Sequence, residues 1–148
     1  DTETRKNAIS TRNNMSRLAY ALIEENKKDK AKKILDLALA KMPFEYYGYY
    51  STLDSFADGY YLIGEKENAQ KLLTKLMGKY QENLKYYKSF SSSDQSYLTS
   101  EIMTNLYRMK NLLKVMAKND DEAFFDKNYK TYTSYAKMFP NLSRQLDE

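Results

Sequence analysis

The residues in this chain with the most chemical capacity are carboxylates. Asp120-Asp121-Glu122 places three of them in succession, the raw material of acid–base catalysis or cation binding. They also stand where a helix start favours negative charge, and the sequence predicts capping by Asp120 or Asp121 rather than catalysis. Asp54 and Asp58 form a second pair, four residues apart and so on one helix face, where like charges repel. Flanked by Tyr20, Glu24 and Tyr61, this pair reads as an acidic–aromatic groove for a basic or polar segment, or as ordinary solvated helix surface. An enzyme built from this chain would have to work with Asp, Glu, Lys, Ser and Tyr, because there is no His and no Cys. Those absences remove the usual zinc ligands, the commonest general base and every thiol nucleophile. No glycine-rich phosphate cradle is present, and neither a metal nor a cofactor is expected.

Phe44-Glu45-Tyr46-Tyr47-Gly48-Tyr49-Tyr50 concentrates five aromatic rings around one glycine. Tyrosine offers a flat apolar face and a polar edge, suited to stacking on a sugar or anchoring a protein contact. Beside Pro43, the same rings could instead staple one helical hairpin onto the next.

The elements that position these residues follow from apolar spacing. Met15, Leu18, Ala19 and Leu22 precede Ala31, Leu35, Ala38 and Pro43; Leu53, Phe56, Ala57 and Tyr60 precede Ala69, Leu73 and Leu76. The two stretches superpose at an offset of 38 residues, as from Ala31 to Ala69, against about 34 in ordinary tetratricopeptide repeats. Small residues at Ala19, Ala31, Ala57 and Ala69 let two helices approach, with larger side chains filling the ridges on either side. Pro43 ends the second helix and Gly64 closes the third. A fourth helix runs from near Glu65 to about residue 88. Leu98, Ile102, Leu106, Met109, Leu113 and Met116 mark a fifth, and Phe125, Tyr129, Tyr132, Ala136 and Phe139 a sixth. The prediction is all-α: a tetratricopeptide-like right-handed array of three antiparallel hairpins, about six helices, in one domain. Its units are 12–43, 50–81 with the longer second helix, and an atypical terminal hairpin over 94–140, with 141–148 as a tail.

Composition agrees. The chain has 148 residues, 42% hydrophobic, with four Gly and two Pro, as suits helices with short connections. It lacks the run of about 18 apolar residues that a membrane span needs, and no signal peptide is visible. It opens at Asp1, as expected of a segment excised from something longer. The net charge of +4 is dispersed; even the densest cluster, Lys27 to Lys33, contains Asp29 and reads as a solvated turn. Nucleic acid is therefore not an expected partner.

Arg17-Leu18-Ala19-Tyr20-Ala21-Leu22-Ile23, Lys30-Ala31, Ile34-Leu35-Asp36, Met42-Pro43, Tyr60 to Lys66, Ala69 and Glu82 to Tyr87 carry a resemblance over about Thr4 to Pro140. The chain resembles the soluble C-terminal region of large bacterial membrane proteins of unknown function, whose multi-spanning N-terminal part is similar to protein O-mannosyltransferases. The resemblance implies an accessory domain at the periplasmic face of the inner membrane, with the cytoplasm as the alternative location. It carries no catalytic residue into this chain. The expected function is a non-catalytic scaffold for a protein or peptide partner; the alternative is a carbohydrate- or glycolipid-binding accessory domain of a glycosyltransferase-like membrane enzyme.

Overall fold

The computed structural model describes residues 2–48 and 50–147, with backbone alone at 50 and 51. Its described residues are helical throughout their ordered elements, with no strand. The helices are α1 (Thr2–Glu24), α2 (Lys28–Lys41), α3 (Phe44–Tyr47), α4 (Asp54–Leu62), α5 (Lys66–Lys88), α6 (Ser92–Tyr97), α7 (Thr99–Lys118), α8 (Glu122–Ala136) and α9 (Pro140–Asp147), and a 3-10 turn spans Tyr50–Leu53. The all-α expectation holds, but among the described residues nine α-helices stand where about six were expected. The additions are α3, α6 and α9: the segment after Pro43, the stretch between the fourth and fifth expected helices and the expected tail each coil into one or two turns. No helix of the described residues is long and apolar enough to cross a membrane.

The chain divides into two compact units, Asp1–Leu72 and Leu73–Glu148. In the first, α1 packs on α2 and both pack on α4. Ala19, Ala31, Ala38, Ala57 and Ala69 are all at most 1% exposed, so the small residues picked out by the 38-residue offset do lie in the core. The approach of α4 to α2 is close enough that a Cβ on Gly59 would lie 3.2 Å from Leu35 Cδ1. Ala31→Leu and Ala69→Leu should each cost about 1–3 kcal/mol by overpacking, whereas the same change at exposed Ala21 should cost little. Urea titration measures this, and near-zero losses at both buried sites would mean the helices do not cross there.

The inward face of α1 differs from the predicted one. Leu18 is 47% exposed, while Ala8, Arg12, Ser16 and Ala19 form the buried stripe. A polar stripe can face inward because Arg12 and Ser16 find partners far along the chain, described below.

In the second unit α7 packs on α8 and α9, around Ile102, Leu106, Met109 and Met116 with Leu76, Tyr80 and Leu84 of α5. Buried Asn105 accepts from Asn83 Nδ2 at 3.0 Å and donates to Glu101 O at 2.8 Å. The Ser91 hydroxyl caps α6 by accepting from the Asp94 N–H.

One turn recurs three times. Asn26, Gly64 and Asp120 follow α1, α4 and α7 at φ of 59°, 81° and 56°. In each turn the next residue's N–H reaches back five positions, Lys27 to Leu22 O, Glu65 to Tyr60 O and Asp121 to Met116 O. The left-handed residue itself bonds Ile23 O, Tyr61 O or Ala117 O. This paired pattern is the Schellman stop. Aligned on it, Ala19 and Ala57 correspond to Leu113, and Ala31 and Ala69 to Phe125. The terminal hairpin thus keeps the turn and replaces both small residues with large ones.

Candidate functional site

Tyr20, from α1, and Asp58, from α4, were expected on an open face, but they meet each other. The Tyr20 hydroxyl donates to Asp58 Oδ2 at 2.5 Å and also lies 3.1 Å from Ser55 O. One turn earlier on α1, Ser16 Oγ bonds Ser55 Oγ at 2.8 Å. Asp58 is 4% exposed, which corrects the reading of Asp54 and Asp58 as a solvated, mutually repelling pair: the Asp58 charge is turned inward onto a phenol. Asp54 is half-buried in the first turn of α4, where the helix dipole favours a carboxylate. Glu24 is exposed and Tyr61 half-buried. Of the five predicted groove residues, Glu24 is exposed, Tyr20, Asp54 and Tyr61 are half-buried and Asp58 is buried.

A second phenol–carboxylate bond ties α4 to α2, Tyr60 Oη donating to Asp36 Oδ1 at 2.6 Å. Lys32 Nζ donates to Asp36 Oδ2 at 2.8 Å. Burial alone would raise the Asp36 carboxyl, but the Lys32 and Tyr60 hydrogen bonds outweigh it and hold it below its ordinary value. Both tyrosines ionise above their ordinary value, because burial disfavours the phenolate and the facing carboxylate adds to the effect.

Arg12 organises the aromatic segment. It is 1% exposed, and its two terminal nitrogens donate to Gly48 O at 2.7 Å and Met42 O at 2.6 Å. Burial pulls its pKa down, partly offset by the Glu45 charge; a guanidinium stays protonated regardless. The backbone at each end of Pro43–Gly48 is therefore fixed by one side chain of α1. On this clamped segment Phe44 and Tyr47 are half-buried and Tyr46 is 77% exposed. Tyr49 lies outside the described residues, as does the side chain of Tyr50.

A cleft lies elsewhere. A concavity of about 520 Å³ opens in the second unit between α7, α8 and α9. Leu113, Tyr132 and Ala136 contribute buried walls. Phe125 and Tyr129 stack with ring centres 5.8 Å apart and planes 10° from parallel, and Tyr132 follows at 6.3 Å. Lys110, Lys114, Lys137 and Arg144 also line it, against one carboxylate, Asp147. Lys110 Nζ donates to Leu146 O at 2.9 Å and Asp147 Oδ1 at 3.2 Å, binding α9 to α7 with its charge answered. Burial, with the Asp147 charge behind it, pushes the Tyr132 hydroxyl up, so it remains a neutral phenol at physiological pH.

No protein-family model, curated protein or solved structure matches this chain.

Neither Arg12 nor the cleft follows from the sequence argument. Arg12 sits in step with Ala8, Ser16 and Ala19, a spacing that could have marked it as inward-facing, but its acceptors are backbone carbonyls and leave no trace in residue types. The cleft did leave a trace, since Phe125, Tyr129 and Tyr132 share one face of α8. Their neighbour α9 was read as a tail, so nothing suggested a second wall. Asp121 is buried at the N-cap position of α8 and Glu122 lies in its first turn, while Asp120 is the left-handed residue of the turn. In the basic turn, Lys27 pairs with Glu25 at 2.5 Å and Lys32 with Asp36.

Proposed function

We propose that this chain is a non-catalytic, tetratricopeptide-like right-handed scaffold for protein–protein contact, serving as an accessory domain of a larger membrane protein at the periplasmic face of the inner membrane. The observation that supports it is recurrence: one stop geometry at Asn26, Gly64 and Asp120, with buried alanines at matched distances in the first two hairpins. Arrays of such hairpins present the first helix of each pair to a partner. In the first unit those helices are α1 and α4, where Glu24 and Tyr61 offer a carboxylate and an aromatic edge to a basic or polar protein segment.

A photo-crosslinking residue at position 24 or 61, introduced into the protein in its native cells, should trap one discrete partner. The same residue at Leu37, 46% exposed on α2, should not trap it. Capture should weaken as salt rises, because exposed charges are screened beyond roughly 8–10 Å. Equal trapping from position 37, or none from 24 and 61, would reject this face. Exposed Tyr46 supports a second reading, a carbohydrate-binding surface; that reading requires glycan binding which Tyr46→Ala abolishes.

A further inference from the structure

The terminal hairpin departs from the other two at the positions where two helices come closest. Ala19 and Ala31 in the first hairpin are at most 1% exposed and allow close crossing. Their counterparts Leu113 and Phe125 both line the cleft of the second unit. Bulky side chains thus stand at both crossing positions of α7 and α8, and α9 supplies the remaining side of the cleft. Its volume falls within the roughly 300–1,000 Å³ range of small-molecule sites. Its apolar part is a stack of rings, Phe125 on Tyr129 with Tyr132 behind.

Charge gives the occupant its second property. Lys110 is already answered by Asp147, and Lys114 lies 6.0 Å over the Tyr107 ring. Lys137 and Arg144 are exposed, and neither has an ion-pair partner among the described residues. An aromatic wall beside two exposed cations complements a flat apolar body that carries an anionic head. A neutral apolar ligand would leave those cations unused. A strongly polar anion would leave the rings without a partner.

We infer that the cleft between α7, α8 and α9 is a binding site for a small organic anion with a flat apolar body, its rings packing on Phe125 and Tyr129 and its head meeting Lys137 and Arg144. This site is independent of the face offered by α1 and α4, so neither proposal depends on the other.

Two fluorescent probes with the same aromatic skeleton test it on the full chain: 1-anilinonaphthalene-8-sulfonate, and the uncharged N-phenyl-1-naphthylamine. The sulfonate should bind with one-to-one stoichiometry and about tenfold or more tighter than the neutral probe, as one charge-assisted contact supplies. Lys137→Gln with Arg144→Gln should bring the sulfonate down to the neutral probe's affinity and leave the neutral probe within about twofold. Thr133→Trp, which fills the cleft from its lining, should abolish binding of both. An unchanged circular dichroism spectrum and melting point show that each variant is folded; if Thr133→Trp is not, Ala117→Phe fills the cleft from α7 in its place. Equal affinity for the two probes, several sulfonates per chain, or a charge variant that binds like the parent would each overturn the assignment.

Discussion

Replacing Arg12 with alanine should lower the unfolding free energy by about 3–5 kcal/mol, the range for removing a buried charged group from its partners. Two charge-assisted hydrogen bonds disappear together, to Met42 O and Gly48 O, and a large, fully buried side chain leaves space behind. Each carbonyl left without its donor inside the protein costs about 1–3 kcal/mol. Arg12→Met separates the causes, since it keeps most of the volume and none of the bonds. Arg12→Lys should fall between parent and methionine, because a single ammonium does not reproduce the guanidinium fork. The exposed Lys32–Asp36 pair sets a useful floor, as surface ion pairs contribute about 0–1 kcal/mol. Chemical denaturation of the three variants decides the matter. A loss under about 1 kcal/mol for Arg12→Ala would place the anchorage of Pro43–Gly48 elsewhere.

The second large effect is alkaline. Tyr20 and Tyr60 ionise above the ordinary tyrosine value of 10.0 in the folded protein. As pH rises past that value, the unfolded chain releases these protons while the folded chain keeps them. The native state then binds more protons, and stability falls with further rise in pH. Below pH 10 both states are protonated and the contribution is whole. Asp36, held below its ordinary 3.8, acts at the opposite end: its contribution is present above that value and is lost as pH falls through the folded one. At neutral pH Tyr20→Phe should cost about 1.5–3 kcal/mol, as expected when a hydrogen bond to a charged group is lost, because Asp58 is buried. Tyr60→Phe should cost less, because Asp36 is exposed. The double variant should also show a shallower decline above pH 10 than the parent. Tyr132 shifts in the same direction and remains in both proteins, so the slope is reduced rather than abolished. Parallel stability curves for parent and double variant would refute the account.

What the sequence made legible was local. Asn26, Gly64 and Asp120 stop their helices through bonds that close within six residues, and the alanines show themselves by spacing alone. Features that depend on distant partners were not legible. Leu18 belongs to an apolar period yet faces outward, because Arg12 and Ser16 have acceptors thirty or more residues away. Asp54 and Asp58 look like a repelling pair until Tyr20 arrives from α1. The helix α9 carries two apolar residues, Leu142 and Leu146, too few to set a period, and Lys110 ties it down from another helix. The cleft escaped for the same reason: one of its walls looked like a tail.

The polar ties of the first unit also bear on how long a folded molecule lasts. Arg12 to Gly48, Ser16 to Ser55 and Tyr20 to Asp58 span 36, 39 and 38 residues, whereas each hairpin turn completes itself at once. Contacts between distant residues carry a closure entropy that local ones avoid, so the hairpins should assemble first and these bonds last. An interaction absent from the folding transition state acts on the unfolding rate alone. In stopped-flow measurements Tyr20→Phe should therefore refold as fast as the parent and put its whole loss of stability into faster unfolding; a slowed refolding arm would place the bond in the nucleus instead. On this view the serine, tyrosine and arginine ties are latches: they set the lifetime of the native state and leave its rate of formation to the hairpins.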